Sequence, residues 1–345
     1  MALTYTEIHD TFNALEKTEN YLENKWTDIE SFFKSKNRFV FVGCGSSYSN
    51  AKSFAMICKM STGKSATALA AGDILLHKER YKKYINGSAV VFISRSGRTS
   101  ELILALDALR DVGCSFSVAA FVCADDTPLG DKSDLVLSTP WAFDESVCQT
   151  RCVTNAYFMA AYIATKLTEN TSVLNELLQI IKEGPVYIKS AEELAMKLAV
   201  QPWTHAVVLA DAELEGIAEE GSLVFKEVCQ LPSNYYHVLD VRHGPMVLIG
   251  EKTLVIVALG TANELELNIL GDLKSKGADV VAFSDVNAGH INESEISCSY
   301  FGRELSHISK GIPLILLCQM IAYYKSKETG ADPDKPTGLD PWISL

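Results

Sequence analysis

The sequence predicts an α/β protein made of two tandem domains, each a doubly wound parallel sheet flanked by helices. Short apolar runs rich in Val, Ile and Phe alternate along the chain with amphipathic helical segments, and buried strands that alternate with helices form parallel sheets. The same order of elements recurs after about 165 residues, a period that indicates duplication of a whole domain. A length of 345 residues is enough for two domains of ordinary size.

The first copy follows an amphipathic helical stretch over residues 5–34. Its strands are predicted at residues 38–42, 89–93 and 116–123, and its helices at residues 47–60 and 101–112. Gly113 is predicted to end the second of these helices, because glycine is common just beyond a helix C-terminus. These elements form strand–loop–helix units, from which parallel sheets are built.

The second copy repeats that order. Its strands are predicted at residues 206–209, 254–259 and 280–283, and its helices at residues 214–231 and 263–276. Helical segments between Thr154 and Leu198 join the copies, and Gly184-Pro185 is predicted to interrupt them. The longest apolar run, residues 312–324, is shorter than the roughly 20 residues of a membrane span. We therefore predict a buried helix there.

This pattern divides the chain into segments. They are an N-terminal helical segment (residues 1–34), a first domain (35–165), a helical connector (166–195), a second domain (196–328) and a C-terminal tail (329–345). The two domains share an order of elements but carry different residues in the loops after their strands. We therefore expect the duplicated domains to have different functions.

Composition and charge exclude several classes of function. Hydrophobic residues make up 48% of the chain and charged residues 21%, which is ordinary globular composition. The formal net charge of −12 argues against a nucleic-acid partner, which requires a basic face. An anionic ligand would have to be held by local hydroxyls, backbone N–H groups and a helix N-terminus, because the overall field repels it.

The cysteines, the histidines and the first residues predict neither a metal site nor an export signal. No CxxC pair occurs among the nine cysteines and no metal-ligand spacing among the histidines, so we expect no metal and no cofactor. Residues 1–10 have no basic n-region and no apolar core. We therefore expect a cytoplasmic protein with reduced thiols that does not associate with a membrane.

Small hydroxylated residues and glycines follow two strands of the first copy. The loops are Gly43-Cys44-Gly45-Ser46-Ser47 and Ser94-Arg95-Ser96-Gly97-Arg98-Thr99. Ligands of doubly wound sheets bind at the carboxyl ends of the strands, where helix N-termini present N–H groups and a partial positive charge. Serine and threonine add donors, and glycine lets the backbone approach a ligand. The two loops together predict a phosphate site.

The corresponding loops of the second copy lack this chemistry. They read Ala210-Asp211-Ala212-Glu213 and Gly260-Thr261-Ala262-Asn263. We therefore expect one phosphate site per chain. Two other interpretations of the first-copy loops stay open at this point. One is a dinucleotide site, although its third glycine is missing at Tyr48, and the other is a pair of ordinary Gly- and Ser-rich turns.

Motifs in both copies resemble a known family. The two first-copy loops resemble the signature loops of the SIS (sugar isomerase) domain. Residues 220–228 (EGSLVFKEV) and 242–245 (RHGP) resemble the second-copy motif of the isomerase half of glucosamine-6-phosphate synthase. The same motif marks its relatives, the ketose/aldose phosphosugar isomerases, the amino-sugar-phosphate deaminases and the fructosamine-6-phosphate deglycases. The resemblance extends from Arg38 to the C-terminus and implies two tandem SIS domains.

The resemblance implies a role for each matching residue. The sugar phosphate would be bound by Cys44, Gly45, Ser46, Ser47, Ser94, Ser96 and Thr99, with Gln149 as a further sugar contact. Glu227 matches the base that moves a proton between C1 and C2. His243 matches the residue that handles the ring oxygen and reaches the site from a neighbouring subunit. The resemblance therefore implies a small-molecule sugar phosphate as ligand and a homodimer with a site shared between subunits.

The residue types suit those roles. Val224 lies one helical turn from Glu227, and Glu220 lies on the same face at i−7, so an apolar neighbour and a like charge would both favour a carboxylate that takes up a proton. His243 precedes Gly244-Pro245, a dipeptide typical of a fixed turn, and imidazole titrates near neutrality. A surface glutamate and a structural turn histidine are the ordinary alternatives.

Three departures from the synthase leave the reaction open. The chain begins at Met1 without the glutaminase domain of the synthase, Val224 replaces a lysine, and Pro341 stands at the position of the Schiff-base lysine. Glutamine-dependent amination is therefore not expected, and an isomerase, a deaminase or a deglycase fits the motifs. The alternative is a non-catalytic sugar-phosphate-binding regulator that signals to a protein partner, although phosphate binding needs neither Glu227 nor His243.

Overall fold

The computed structural model of the protein describes residues 2–287 and 291–340. Its helices are α1 (Leu3–His9), α2 (Thr11–Asn24), α3 (Trp26–Lys34), α4 (Ser46–Thr62), α5 (Ala71–Leu76), α6 (Lys78–Ile85), α7 (Ser100–Asp111), α8 (Arg151–Leu167), α9 (Thr171–Ala199), α10 (Glu215–Val228), α11 (Glu264–Ser275) and α12 (Gly311–Thr329). Its strands are β1 (Arg38–Gly43), β2 (Ser65–Ala70), β3 (Ala89–Ser94), β4 (Ser117–Val122), β5 (Leu135–Ser138), β6 (His205–Leu209), β7 (Ser233–Tyr236), β8 (Thr253–Ala258), β9 (Asp279–Ser284) and β10 (Ser297–Tyr300).

The chain divides into two compact units, each with one sheet. The first unit is Asp10–Ile181 with Asp340, and the second unit comprises residues 2–9 together with Lys182–Leu339. The domain limits given above from the sequence stay predictions.

All strands in the sheet of the first unit are parallel, in the order β2-β1-β3-β4-β5. β1 lies between β2 and β3, with Phe39 opposite Ala66 on one side and Ala89 on the other. β3 is buried along its whole length, and Val90 and Phe92 belong to the apolar core. The chain leaves β1 toward one edge of the sheet and leaves β3 toward the other, so the loops after these strands diverge at a topological switch point.

The sheet of the second unit has the same topology. Its order, β10-β9-β8-β6-β7, becomes that of the first sheet when it is read from β7. β6 pairs in parallel with β7 and β8, with His205 opposite Thr253. Val207, Val255 and Val280 contribute to its core. The two parallel sheets confirm the predicted fold class.

The strands that the sequence pattern does not predict are β2, β5, β7 and β10. The first two are the edges of the first sheet, and the other two are the edges of the second. Their side chains are only partly buried, and three of these strands are four residues long. Such edge strands lack the continuous apolar run that marks a central parallel strand.

The predicted helical segments are present, and one of them needs a correction. The helical stretch over residues 5–34 consists of α1, α2 and α3. α9 continues through Pro185, so the interruption predicted at Gly184-Pro185 is wrong. Proline in a helix removes one N–H donor, but the surrounding turns keep the remaining hydrogen bonds.

The buried helix predicted at residues 312–324 is confirmed as part of α12, which is buried along most of its length. Within the residues that the structure describes, none of the helices has both the length and the apolar character required to cross a bilayer.

Candidate functional site

A small pocket lies where β1 and β3 end in the first unit. Its empty volume is about 280 Å³, and it is lined by Cys44, Ser47, Ser94, Arg95, Ser96, Thr99, Leu102 and Gln149. The lining thus brings together most of the residues predicted to hold a sugar phosphate. Gly45 and Ser46 belong to the same loop without lining the pocket. The position at the β1–β3 switch point is where ligands of this sheet topology bind.

The first loop turns sharply from β1 into α4. A Cβ atom at Gly43 would lie 2.3 Å from the carbonyl carbon and oxygen of Ser47, so no side chain fits there. Gly45 has a positive φ of 52° and precedes the first residue of α4. Ser46 and Ser47 are buried in the first turn of that helix. The close turn therefore places the N-terminus of α4 at the pocket, where its N–H groups favour an anion.

Gly43→Ala is expected to lower the free energy of unfolding by about 3 kcal/mol, because the added methyl group would meet backbone atoms that cannot rotate away. Gly72→Ala is the matched control, since a Cβ there has no neighbour within 4 Å. That control should change the free energy of unfolding by less than about 1 kcal/mol. Denaturant unfolding measures both, and equal effects would contradict the close approach of β1 and α4.

The second loop holds its hydroxyl groups with backbone N–H groups. Ser94 Oγ accepts a hydrogen bond from the Gly97 N–H at 3.0 Å, and Ser96 Oγ accepts one from the Arg98 N–H at 3.2 Å. Ser94 Oγ also lies 3.4 Å from Thr99 Oγ1. A hydroxyl that accepts from the backbone keeps its own proton as a donor. The loop can therefore offer O–H groups to an anion in the pocket.

The backbone conformation at position 97 and the close packing around it both require glycine. Its φ is 62°, and an added Cβ would lie 2.6 Å from the Thr127 side chain. Thr99 then starts the turn into α7 with an extended backbone. Both pocket loops thus depend on a glycine that no larger residue could replace.

Arg95 places a buried cationic side chain at the pocket, which the interpretation of the sequence missed. Arg95 is one of the residues that line the pocket, and it is only 5% exposed. The Nη1 atom donates to the carbonyl oxygens of Ser146 at 2.6 Å and Asp144 at 3.2 Å. The sequence carried a signal, since an arginine stands between two of the predicted serines. The formal net charge of −12 describes the chain as a whole and does not indicate this local positive charge.

Gln149 reaches the pocket from the loop that precedes α8. Asp144, which is 1% exposed, starts this loop. Its Oδ2 atom accepts hydrogen bonds from the Thr150 N–H at 2.8 Å and the Cys152 N–H at 3.0 Å. Burial raises the pKa of Asp144, and the hydrogen bonds from Cys152 and Thr150 oppose that rise. Gln149 Oε1 accepts from the Cys152 thiol at 3.2 Å.

Cys44 is a neutral part of the pocket wall. Burial raises the pKa of its thiol to about 11, and the nearby Glu101 carboxylate adds to this effect. A thiol with so high a pKa is protonated near neutrality and is a poor nucleophile. Cys44 is therefore suited to forming part of a binding site rather than to attacking a ligand.

Glu227 lies in the last turn of α10, in the second unit, and is half-buried. On the same helix face, Glu220 is 0% exposed and Val224 is 1% exposed. A Cβ at Gly221 would lie 2.9 Å from the Cys318 sulfur, so α10 and α12 pack closely here. The structure thus gives Glu227 the apolar neighbour expected from the sequence.

His243 is exposed at a turn in the second unit. It follows the short 3₁₀ turn Asp240–Arg242, and Gly244 has a φ of 125° before Pro245 starts another 3₁₀ turn. The Arg242 guanidinium donates to the Asp272 carboxylate at 2.6 and 2.8 Å. The turn that presents the imidazole is therefore anchored. Pro341, the position compared above with a Schiff-base lysine, lies outside the described residues.

In the second unit, a carboxylate of the protein occupies the loop that corresponds to the Ser94–Thr99 loop. Glu266 accepts hydrogen bonds from the N–H groups of Gly260 at 2.7 Å, Thr261 at 3.0 Å and Asn263 at 3.2 Å. Asn263 in turn accepts from the Glu266 N–H, which completes a capping box on α11. Backbone N–H groups that could hold an external anion are thus already bonded to an internal one. This contrast gives the predicted asymmetry between the copies a physical basis.

Glu266→Gln is expected to lower the free energy of unfolding by about 1–2 kcal/mol, because the charged acceptor of three N–H groups is lost. Glu264→Gln, an exposed glutamate in the same helical turn, is the control and should cost less than about 1 kcal/mol. Thermal or denaturant unfolding compares the two variants. A larger loss for the Glu264 variant would contradict the role given to Glu266.

Within residues 2–287 and 291–340, no cluster of three or more His, Cys, Asp and Glu side chains is placed to hold a metal ion.

Comparison with known proteins agrees with these features. Residues 31–166 match the SIS domain family. A glutamine–fructose-6-phosphate aminotransferase (isomerizing) of Pyrobaculum aerophilum is 25% identical over 352 residues, which cover 98% of this chain and 57% of that protein. The chain thus spans little more than half the length of the curated relatives it matches over nearly all of its own length.

Solved structures share the fold over the whole chain. Glucosamine-6-phosphate deaminase of Thermotoga maritima superposes with a TM-score of 0.81 at 22% identity, covering 100% of both chains. Tagatose-6-phosphate ketose/aldose isomerase of Escherichia coli superposes with a TM-score of 0.85 at 19% identity, covering 99% of this chain and 97% of that one. With an SIS domain at residues 31–166, a second parallel sheet of the same topology and a 25% identical relative aligned over 98% of its length, the chain is similar to the isomerase half of glutamine–fructose-6-phosphate aminotransferase.

Proposed function

We propose that this protein is an enzyme that moves a proton between C1 and C2 of a ketose, aldose or amino-sugar 6-phosphate. The reaction is a ketose/aldose isomerisation, the deamination of an amino-sugar phosphate or the deglycation of a fructosamine 6-phosphate. The observation that carries the proposal is the pocket at the β1–β3 switch point, lined by hydroxyl groups and Arg95. Proteins of similar fold include a glucosamine-6-phosphate deaminase and a tagatose-6-phosphate ketose/aldose isomerase, and these names support the same class of reaction.

The first unit binds the phosphate group in this proposal. Ser94, Ser96 and Thr99 donate O–H groups, and the N-terminus of α4 contributes N–H groups and a partial positive charge. Arg95 adds a buried positive charge at the same pocket. A dianion is thereby held locally although the chain as a whole carries a net charge of −12.

The second unit supplies the proton transfer. The sugar ring opens with His243 as the proton carrier, and Glu227 then removes the proton next to the carbonyl or imine carbon. The product of that step is an enediol or an enolamine. Reprotonation at the other carbon yields the isomer. Where that isomer is an imine, water adds to the imine carbon and the C–N bond breaks, which leaves a carbonyl group on the sugar and releases the amine. None of these reactions consumes glutamine.

A homodimer in which His243 serves the partner copy is part of the proposal. Beside the exposed His243, Val247 is 83% exposed and Leu248 is 66% exposed in the single chain. Exposed apolar side chains next to a functional residue favour a protein interface.

Val247→Asp is expected to shift the protein from dimer to monomer and to lower activity, because a charge would be buried in the contact. Val200→Asp, at a valine that is 65% exposed elsewhere in the second unit, is the control. Sedimentation at several protein concentrations measures the change. A wild-type protein that is monomeric at all concentrations would contradict the shared site.

The reaction is tested by a mass-spectrometric screen. The wild-type protein is incubated with ketose 6-phosphates, amino-sugar 6-phosphates and fructosamine 6-phosphates, and each mixture is scored for isomer, ammonia and free amino acid. We expect turnover in one of these classes. Binding of sugar phosphates without turnover of any would contradict the enzymatic proposal and favour a regulator.

A further inference from the structure

We propose that Arg95 is a positioning residue, whose guanidinium fixes the loop of residues 144–150 so that Gln149 meets the sugar part of the ligand. The inference rests on the proposed function, because it concerns the pocket that would bind the sugar phosphate. It assigns to Arg95 a role in recognising the sugar in addition to its charge at the phosphate.

The first anchor of the loop is the Arg95 side chain. A single nitrogen, Nη1, donates to two carbonyl oxygens of the loop, those of Asp144 at 3.2 Å and Ser146 at 2.6 Å. The guanidinium also lies 5.6 Å from the centre of the Phe143 ring. Arg95 itself stands between Ser94 and Ser96, so the same residue joins the hydroxyl loop to the Gln149 loop.

The second anchor is the Asp144 side chain, which closes the loop on itself. Its carboxylate accepts from the N–H groups of Thr150 and Cys152, on the far side of Gln149. Within the loop, Ser146 Oγ donates to the Cys148 carbonyl at 2.9 Å. Asp144 therefore ties both ends of the loop: its carbonyl bonds to Arg95 and its carboxylate bonds to the start of α8.

Removing the guanidinium would release one of these anchors. Arg95 is 5% exposed and Ser146 is 1% exposed, so the carbonyl groups freed by its loss would be poorly reached by water. The loop would then move to recover hydrogen bonds, and Gln149 would move with it. Arginine suits this task because its planar group offers several donors in fixed directions.

Two contributions of Arg95 must be separated, its charge and its hold on the loop. Charge acts on the phosphate group, which inorganic phosphate and fructose 6-phosphate both carry. The positioning of Gln149 affects binding of the sugar, which only fructose 6-phosphate carries. The ratio of the two dissociation constants therefore cancels the charge and isolates the positioning role.

The experiment measures that ratio by calorimetry for the wild type, Arg95→Met, Gln149→Ala and the double variant. Arg95→Met should weaken fructose 6-phosphate relative to inorganic phosphate by about tenfold, and Gln149→Ala should do the same. In the double variant, binding of fructose 6-phosphate relative to inorganic phosphate should be no weaker than in Gln149→Ala, within about threefold. Arg98→Met, at an exposed arginine of the same loop, is the control and should leave the ratio unchanged.

Two results would overturn the inference. One is a ratio that Arg95→Met does not change, which would leave the arginine with charge alone. The other is a double variant whose loss is the product of the single losses. If Arg95→Met does not fold, Arg95→Lys takes its place, because the ratio removes the effect of charge in either variant.

Hydrogen exchange separates failure of this inference from failure of the proposed function. If the wild type binds neither ligand, the proposed function fails. The anchoring of the loop is then judged alone, and the amides of Thr150 and Cys152 should exchange faster in Arg95→Met than in the wild type. Unchanged exchange at those amides would rule out the anchor.

Discussion

Glu227→Gln is expected to lower kcat on the sugar phosphate found in the screen by about 10²- to 10⁴-fold, with the dissociation constant of that ligand nearly unchanged. The amide keeps the size and hydrogen-bonding reach of the carboxylate but cannot take up a proton. Phosphate binding is assigned to the first unit, so the loss falls on the chemical step. Steady-state kinetics and calorimetry on the same preparation measure the two quantities.

The control for that variant is Glu215→Gln, at the first residue of the same helix. It removes an equal charge from α10 and should leave kcat within about twofold. Wild-type turnover by Glu227→Gln would show that another group is the base. An equal loss of kcat in both variants would point to a change in the helix rather than in the chemistry.

Ser96→Asp is expected to weaken binding of sugar phosphates by about 100-fold or more. The new carboxylate would face a dianion inside a small and largely buried pocket, where like charges are poorly screened. Loss of the Ser96 hydroxyl as a donor adds to the effect. Calorimetric titration with fructose 6-phosphate measures it.

Ser115→Asp provides the matched control. Ser115 is exposed just before β4, at the opposite end of the same sheet, and the change adds the same charge to the same unit. It should weaken binding by less than about twofold, because an exposed charge at that distance is screened by salt. Comparable losses in the two variants would contradict a phosphate site at the Ser96 loop.

The central strands of both sheets are predictable from the sequence because they are buried on both faces. Residues 89–93 and 254–259 are continuous apolar runs, and they coincide with β3 and β8. Edge strands give no such signal: β7 reads SNYY and is mostly half-buried. Pairing with a neighbouring strand, rather than a local pattern, makes such a segment a strand.

The pocket shows the same division between local and distant information. The glycines and serines after β1 and β3 mark a turn at a switch point, and the sequence alone locates them. The Arg95 side chain bonds to carbonyl groups some 50 residues later in the chain. A backbone acceptor has no residue identity, so no motif could have indicated this contact.

Glu266 illustrates a related limit. The sequence places an asparagine three residues before it, which is a known signature of a capping box. The sequence does not indicate that the Glu266 carboxylate also accepts hydrogen bonds from the N–H groups of Gly260 and Thr261. Through these bonds it occupies the loop of the second unit that corresponds to the pocket loop. That arrangement depends on how the loop after β8 folds back onto α11.

The most direct test of the account is a crystal structure of Glu227→Gln with the substrate found in the screen. We predict phosphate density within hydrogen-bond distance of Ser94, Ser96 and Thr99, and the C1–C2 end of the sugar against position 227 of the same or the partner subunit. Phosphate density away from the turns that follow β1 and β3 would contradict the account, as would a side chain at position 227 that faces bulk solvent.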